Sequence, residues 1–555
     1  METEKNGCLV KSPKGNHCLY RILANHRYHW IKPTKSPYAM SHKYVDLGKD
    51  GDLVYLYSLN RETSRFSKEK QVLWGDWLLV DDDHDYTGVP DGWTAIRWAP
   101  KTKNQIYYIR EENTIDERPL EIIFVDVGQG DGAVLITPER GPEEKILVID
   151  AGESANMRRF LNGRFKAYRG FDFEAAIITH PDNDHYAGFE HIFNDHNIGF
   201  KTIYQNGLVE RPEGGRFEKL GGTVEDPPDS GNHFIEDLAE TRADIERLFS
   251  DPSTFGRYQF PPLMYAALQN PRIQDFRMLS IAPEHSIHRH GRAYMPGFAP
   301  TPGKSYSIEV LGPVVERTED GKPRLRRISS DYGETKNGHS ILLRLHMGQY
   351  KIFFGGDLNI PAEKYLLQQY TNLENWPSPG TDEYDLMMTR ASHWFRSEIM
   401  KVCHHGSDKV TDEFMTAVHP AGFIISSGDR EGHVHPRPDL LGRLGRIGRG
   451  ESPLILSTEL QRSSREFEEP EFVQDLQDDI KKLTENPADT DLLTSIQEQI
   501  EHLGRTNVDV YGAVYVKTDG ERLIVAFKYE ELSDKKKWFY YEYSIDEEGK
   551  LHLLK

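Results

Sequence analysis

The sequence has few cysteines, lacks long apolar runs and carries no excess of positive charge. Three cysteines among 555 residues, Cys8, Cys18 and Cys403, form neither a disulfide framework nor a cysteine-rich zinc module. No stretch of about 18 apolar residues occurs, so no membrane-spanning helix is expected. The formal net charge of −20 argues against binding nucleic acid over the whole surface, although it allows a local basic groove.

The remaining composition is typical of a folded globular protein. Hydrophobic residues make up 37% of the chain and charged residues 28%, and 555 residues are too many for one ordinary domain. Residues 1–6 lack a basic stretch followed by an apolar core, which is the form of a secretory signal. We therefore expect a cytoplasmic protein that is not associated with a membrane.

Residues 1–118 are predicted to form a small all-β domain. Short alternating aromatic segments such as 53–57 and 77–80 are separated by turns rich in Asp and Gly. Five of the eight tryptophans lie here, namely Trp30, Trp74, Trp77, Trp93 and Trp98. The region loosely resembles bacterial SH3-like barrels. Its aromatic residues could bind a protein partner, but packing in a core is the favoured interpretation.

The segment 178–188 holds the densest group of potential metal ligands. His180, Asp182, Asp184 and His185 fall within six residues, after an apolar run that predicts a buried strand and before the start of a helix. Side chains on such a turn can converge on one ion. A polar surface turn is the alternative, and the position between buried strand and helix favours the metal site.

Further polar groups follow other predicted strands. Asp131 lies in a glycine-rich turn within 122–135, and Asp150, which ends another strand, is expected to brace a turn. Asn337 and Ser340 precede a strand and could line a pocket or simply form a turn. Asp357 follows two glycines at the end of the strand 351–354.

Two histidine segments complete the candidate site. His404 and His405 end an apolar run, and a strand would point their adjacent side chains in opposite directions. His435 and Arg437 flank Pro436. Arg443, Arg446 and Arg449 follow, and together with a second basic group at 322–327 they could contact a phosphate backbone or be solvated.

These motifs, in this order, resemble the metallo-β-lactamase superfamily and, within it, the soluble β-lactamase-like domain of the ComEC-type competence proteins. The segment 180–185 resembles the signature His-x-[His/Asp]-x-Asp-His, and 126–131, 337–345, 351–358 and 398–407 are similar to further segments of that group. The resemblance implies an α/β fold, an αββα sandwich, over residues 119–555. Insertions are expected near 205–305 and, as a helical hairpin with two apolar stripes, near 466–505.

The resemblance also implies roles for individual residues. The implied metal ligands are His180, Asp182, Asp184, His185, Asp357 and His404, which would hold two divalent ions, Zn²⁺ or Mn²⁺. Asp184, His405 and His435 are the implied catalytic residues; the order of His404 and His405 stays open. The implied substrate-binding residues are Asp131, Asn337, Ser340, Ser407 and Arg437.

Two departures from the superfamily pattern affect the first of the two ion sites. Asp182 replaces the usual second histidine of the signature. The further histidine that usually lies between the signature and the bridging aspartate, here Asp357, has no recognisable counterpart. Whether both ion sites fill is therefore open.

The resulting hypothesis is a metal-dependent hydrolase, specifically a phosphodiesterase or nuclease that acts on DNA. The alternative among enzymes is a hydrolase of a small ester, lactone, thioester or cyclic nucleotide, which suits the acidic composition better. The alternative outside enzymes is an interaction protein with a vestigial metal site, which would use the N-terminal domain or the helical hairpin to bind a protein partner.

Overall fold

The computed structural model describes residues 41–97, 105–165, 171–428, 435–458, 512–529 and 533–555, with a few single residues between 479 and 493. Trp30, Trp98 and nearly all of the predicted hairpin near 466–505 lie outside the described residues. Among the described residues no helix combines the length and apolar character needed to cross a bilayer.

The described part of the predicted N-terminal domain consists of strands and short turns. Its strands are β1 (His42–Val45), β2 (Val54–Asn60), β3 (Arg65–Val72), β4 (Trp77–Val80), β5 (Trp93–Arg97), β6 (Ile106–Arg110) and β7 (Thr114–Ile115). They form one sheet in the order β3-β2-β6-β5-β4-β1-β7. Alternate side chains such as Leu56, Ile96 and Ile109 fill its core, as the alternating sequence predicts.

The rest of the chain alternates strands and helices. Its first part contains β8 (Leu120–Phe124), β9 (Gly132–Ile136), β10 (Ile146–Ala151), α1 (Asn156–Phe165), β11 (Asp172–Ile177), α2 (Asn183–Tyr186), α3 (Phe189–Phe193), β12 (Gly199–Gln205), β13 (Gly222–Glu225), β14 (His233–Glu236), α4 (Arg242–Phe249), α5 (Phe260–Gln269) and β15 (Ile273–Met278). Its second part contains β16 (Ile287–Arg289), β17 (Arg292–Tyr294), β18 (Tyr306–Gly312), β19 (Glu316–Arg317), β20 (Pro323–Arg326), α6 (Tyr332–Gly338), β21 (Leu342–Met347), β22 (Tyr350–Phe354), α7 (Ile360–Thr371), α8 (Asp382–Phe395), β23 (Ile399–Lys401), α9 (Asp412–Val418), β24 (Gly422–Ile425), α10 (Pro438–Ile447), β25 (Leu454–Ser457), β26 (Val514–Thr518), β27 (Arg522–Lys528), β28 (Trp538–Ile545) and β29 (Leu551–Leu553).

Two large sheets pack face to face between layers of helices. One has the order β15-β12-β11-β10-β9-β8-β26-β27-β28-β29 and the other β16-β17-β18-β21-β22-β23-β24-β25. Apolar side chains of both sheets, including Phe124 and Phe354, form the core between them. Helices α1, α3, α4 and α5 cover the outer face of the first sheet, and α7 to α10 cover that of the second. The prediction of an α/β fold is confirmed.

The strands that lead to the candidate site are parallel to their neighbours. In the first sheet β10, β11, β12 and β15 run parallel, and in the second β22, β23, β24 and β25 do. The central strands β10, β22 and β24 are covered on both faces, which is why their sequences are nearly continuous apolar runs. The carboxyl ends of parallel strands meet at one edge, where open α/β sheets bind their ligands.

Residues 205–305 contain more regular structure than their sequence predicts. The amphipathic pattern over 235–249 predicts a helix, and the helix begins only at Arg242, because Thr241 and Asp244 cap each other's backbone N–H groups there. Residues 233–236 are instead strand β14, which forms a small sheet in the order β13-β14-β20-β19. Strand β15 and helix α5 join the main sheet and its helical layer.

The N-terminal sheet packs against strands β27 and β28. Trp74 lies in one apolar cluster with Ile524 and Trp538, and the Lys517 ammonium donates to the Trp74 carbonyl oxygen at 2.6 Å. This contact lies on strands at the opposite side of the first sheet from β11 and β12.

Candidate metal centre

The segment 178–185 leaves strand β11 as a braced turn. The Asp150 carboxylate accepts hydrogen bonds from the Thr179 N–H at 2.8 Å and from the Thr179 hydroxyl at 2.7 Å. Asp182 then caps the short helix α2 by accepting from the N–H of Asn183 at 2.9 Å. The turn thus places His180 and His185 inward, both fully buried.

Four side chains from three segments converge at this edge of the sheets, and we call them the cation cluster: Asp184, His185, Asp357 and His405. The Nε2 atoms of His185 and His405 lie 3.3 Å apart. Asp357 places its two oxygens 3.3 Å from His185 Nε2 and 3.2 Å from His405 Nε2. Asp184 Oδ2 lies 3.2 Å from His405 Nε2. Ligands about 2.1 Å from one tetrahedral ion lie about 3.4 Å apart, so this spacing fits one small divalent cation.

Each imidazole of the cation cluster is oriented by acceptors that contact its Nδ1 atom, on the side of the ring away from the cluster. His185 Nδ1 lies 2.8 Å from Asp150 Oδ2. His405 Nδ1 lies 3.0 Å from Asp131 Oδ1 and 3.0 Å from the Ser426 carbonyl oxygen. Because these acceptors require Nδ1 to carry the proton, both Nε2 lone pairs are directed at the centre of the cluster, the usual arrangement of metal-binding histidines.

Asp131 also offers an oxygen within 4.8 Å of ligand atoms of His185, Asp357 and His405. Its carboxylate forms an ion pair with the buried ammonium of Lys401, and its Oδ1 lies 3.0 Å from His405 Nδ1, on the side of the ring away from the cluster. We therefore assign Asp131 to the support of His405 and Asp184 to the cluster itself.

The buried ring of His180 also has a lone pair on Nε2 that is available to a ligand. Its Nδ1 lies 3.1 Å from the Thr179 hydroxyl and 3.2 Å from the Ser340 hydroxyl. Thr179 gives its hydroxyl proton to Asp150, and Ser340 gives its own to the Asn337 carbonyl at 2.7 Å. Both hydroxyls can therefore only accept from His180, so Nδ1 carries the proton. Nε2 is buried and has no hydrogen-bond partner among the described residues.

The ionisable groups of the cation cluster shift one another's pKa values in the way expected of a site that binds a cation. Burial raises the pKa of Asp357, but the adjacent His405 and His185 outweigh burial and hold it well below its usual value. Burial lowers the pKa of His185 and His405, yet the carboxylates around them raise it well above the usual value. The carboxylates around the two imidazoles thus supply the negative charge that a divalent ion would neutralise on binding.

The backbone separates the roles of His404 and His405. Strand β23 ends at Lys401, so the two histidines do not lie on a strand as their sequence indicates. Both adopt left-handed conformations, with φ of 50° and 53°, which cost about 1–3 kcal/mol each and occur mainly at functional sites. His405 is 2% exposed and joins the cluster, whereas the His404 side chain is 26% exposed with Nε2 3.9 Å from Asp357.

The other predicted metal ligand, Asp182, lies outside the cation cluster. Its Oδ1 is 3.1 Å from the Lys336 ammonium. The Asn337 amide, oriented as its hydrogen bonds require, donates to Asp182 Oδ2 at 3.1 Å. Which of the six predicted residues bind metal stays a prediction.

The predicted substrate-binding residues do not share one pocket wall but lie in different environments. Asn337 and Ser340 are buried behind His180, and the Ser340 hydroxyl accepts from the Asp357 N–H at 3.0 Å. Ser407 is buried, and its N–H donates to the His404 carbonyl. Arg437 is half-buried and immediately precedes helix α10, and the predicted catalytic His435 has its ring 6.0 Å from that of His404.

Gln129, which belongs to the same glycine-rich turn as Asp131, donates to Asp184 Oδ2 at 3.1 Å. Two further contributors, Lys336 and Lys401, were not identified from the sequence. Lys336 holds Asp182. Lys401 donates to the Gly356 carbonyl at 3.1 Å while it pairs with Asp131. A lysine in the apolar strand β23 was a signal for Lys401, because a buried ammonium needs a carboxylate partner.

Most of the arginines that could have contacted a phosphate backbone are bound to carboxylates. Arg443 and Arg446 both pair with Asp412, and Arg449 pairs with Glu398. In the second basic group Arg324 pairs with Asp226 and Arg326 with Glu316. These side chains secure the fold around the site.

Comparison with known proteins agrees with this geometry. The family model of the metallo-beta-lactamase superfamily matches residues 133–247, which include the signature at 180–185 but neither Asp357 nor His405. No curated protein matches the chain. The matched domain and the group of His and Asp ligands support a metal-dependent hydrolase.

Proposed function

We propose that this protein is a metal-dependent phosphodiesterase and that DNA is its substrate. The observation that carries the proposal is the convergence of Asp184, His185, Asp357 and His405, each of which has a ligand atom 3.2–3.3 Å from a ligand atom of another member. The substrate class rests on the ordered motifs that resemble the ComEC-type group.

The cation cluster has a buried base, and Asp184 together with the neighbouring His404 forms an open rim. His185, Asp357 and His405 are at most 2% exposed, whereas the side chains of Asp184 and His404 are 19% and 26% exposed. A bound divalent ion would polarise a phosphoryl oxygen and favour ionisation of water. Substrate enters past Asp184, whose carboxylate can accept a proton from water, and past His404 and His435, whose rings can bond the phosphoryl or leaving-group oxygen.

The test is cleavage of labelled single- and double-stranded DNA in the presence of Mn²⁺, Mg²⁺ or Zn²⁺. An Asp184→Asn protein purified in parallel controls for contaminating nucleases. Cleavage by the wild type and not by the variant is the expected result. A folded, metal-loaded wild type that leaves both DNA substrates intact would contradict the proposal.

A small ester, lactone, thioester or cyclic nucleotide is the second candidate substrate. It is favoured by the pairing of Arg443, Arg446 and Arg449 with carboxylates and by the net charge of −20. Bis(p-nitrophenyl) phosphate and p-nitrophenyl acetate separate the two chemistries, because the first tests phosphodiester cleavage without a nucleic-acid groove. If neither is hydrolysed and no metal binds, an interaction protein becomes the better explanation.

A further inference from the structure

The first ion site of the superfamily pattern would draw on His180, Asp182 and the bridging Asp357. In this chain His180 Nε2 is buried without a hydrogen-bond partner among the described residues, whereas both oxygens of Asp357 already face the cation cluster. Asp182 is the third residue that could contribute, and its surroundings decide whether a second ion has enough ligands.

The Asp182 carboxylate is already engaged by three donors. Its Oδ1 accepts from the Asn183 N–H at 2.9 Å and lies 3.1 Å from the Lys336 ammonium. Its Oδ2 accepts from the Asn337 amide at 3.1 Å. A carboxylate held by an ammonium and two N–H groups has little capacity left for a cation.

Lys336 is fixed in this place. Its side chain is 8% exposed and lies 3.2 Å from Glu210 as well as 3.1 Å from Asp182. The Tyr332 hydroxyl donates to the same Glu210 oxygen at 3.0 Å, so that carboxylate is held in turn. If the lysine left Asp182, two partly buried carboxylates, Asp182 and Glu210, would lose their counter-charge.

We infer that the Lys336 ammonium takes the place of one of the two metal ions, so that this protein holds a single divalent cation, in the cation cluster. His180 then keeps its Nε2 lone pair for a proton or a substrate group. The inference rests on the proposed metal-dependent hydrolase and specifies how many ions its centre contains.

The experiment counts ions directly. Purified protein is saturated with Mn²⁺, freed of excess ion by gel filtration and analysed by elemental analysis, and electron paramagnetic resonance of the same sample distinguishes isolated Mn²⁺ from exchange-coupled pairs. The wild type is expected to retain one uncoupled Mn²⁺ per chain. Lys336→Met, which frees Asp182 and removes the positive charge, is expected to gain a second ion and a coupled spectrum.

Two variants control this comparison. Lys336→Arg keeps the positive charge beside Asp182 and should keep one ion. Lys304→Met removes an exposed lysine that pairs with Glu139 at 3.5 Å and should also keep one ion.

The outcomes separate this inference from the proposed function. Two tightly bound ions in the wild type, or one ion in a folded Lys336→Met protein, would overturn the inference even if DNA is cleaved. One ion in the wild type and two in Lys336→Met support it even if no substrate is cleaved. No ion in the wild type would overturn both.

Discussion

The Nδ1 atom of His185 lies 2.8 Å from Oδ2 of Asp150, the carboxylate that also accepts from the N–H and hydroxyl of Thr179. One aspartate, itself in a left-handed conformation with φ of 54°, therefore holds both the backbone of the signature turn and a ring of the cation cluster. The orientation of His185 therefore depends on this one side chain.

Replacing Asp150 with Asn should weaken metal binding while the ligands themselves remain. The amide has one acceptor oxygen for the three donors around it, so it loses hydrogen bonds to Thr179 or to His185. We expect a loss of about 10–100-fold in affinity for Zn²⁺ or Mn²⁺, as is typical when such a partner of a metal-bound histidine is removed. Isothermal titration calorimetry measures the change, and Asp172→Asn, an exposed position at the start of the same strand β11, serves as the control. Equal affinities for the two variants would contradict the role of Asp150.

His404 and His405 should differ sharply when each is replaced with Ala. Loss of His405 removes a side chain whose Nε2 is 3.2 Å from both Asp184 and Asp357, so we expect metal affinity to fall by more than about 100-fold. Loss of His404, whose Nε2 lies 3.9 Å from the nearest oxygen of Asp357, should leave one bound ion and reduce the rate of hydrolysis. Metal content after dialysis and the rate on the best substrate are measured for both. The reverse pattern would assign the ligand role to His404.

The adjacent histidines also show what could and could not be read from the sequence. The positions of Asp184, Asp357 and the His404–His405 pair were predictable, because each follows an apolar strand and the ends of parallel strands meet at one edge. The choice between the two histidines was not, because it depends on a left-handed turn after Lys401 rather than on the alternation of a strand. The same holds for Lys336, whose contact with Asp182 joins segments far apart in the chain.

Gly130 should tolerate no side chain. An added Cβ would lie 1.6 Å from the carbonyl oxygen of Asp184, because the glycine-rich turn packs directly on the backbone of helix α2. We expect Gly130→Ala to lower the free energy of unfolding by about 2–4 kcal/mol and to displace Asp184 from the cluster. Gly128 also has a positive φ, +82°, but no atom lies within 4 Å of an added Cβ. Gly128→Ala should therefore lower the free energy of unfolding by only about 1 kcal/mol. Urea denaturation and metal titration of both variants test this contrast, which equal losses would refute.

Glu363 should make the protein less stable as the pH rises. Its carboxyl is fully buried, Oε2 accepts from the Thr411 N–H, and burial raises its pKa from 4.5 to about 8. Between these two values the folded state keeps a proton that the unfolded state has released, so stability present below pH 4.5 is lost as the pH rises to 8, by up to about 1.4 kcal/mol per pH unit. Glu363→Gln, which is neutral at every pH, should be more stable than the wild type at pH 8.5 and show a flatter dependence from pH 5 to 8, whereas Glu383→Gln on the exposed face of α8 should follow the wild type. Chemical denaturation across this range measures the difference. Parallel curves for the wild type and Glu363→Gln would mean that Glu363 is ionised in the folded protein, held by a charge such as that of Arg443.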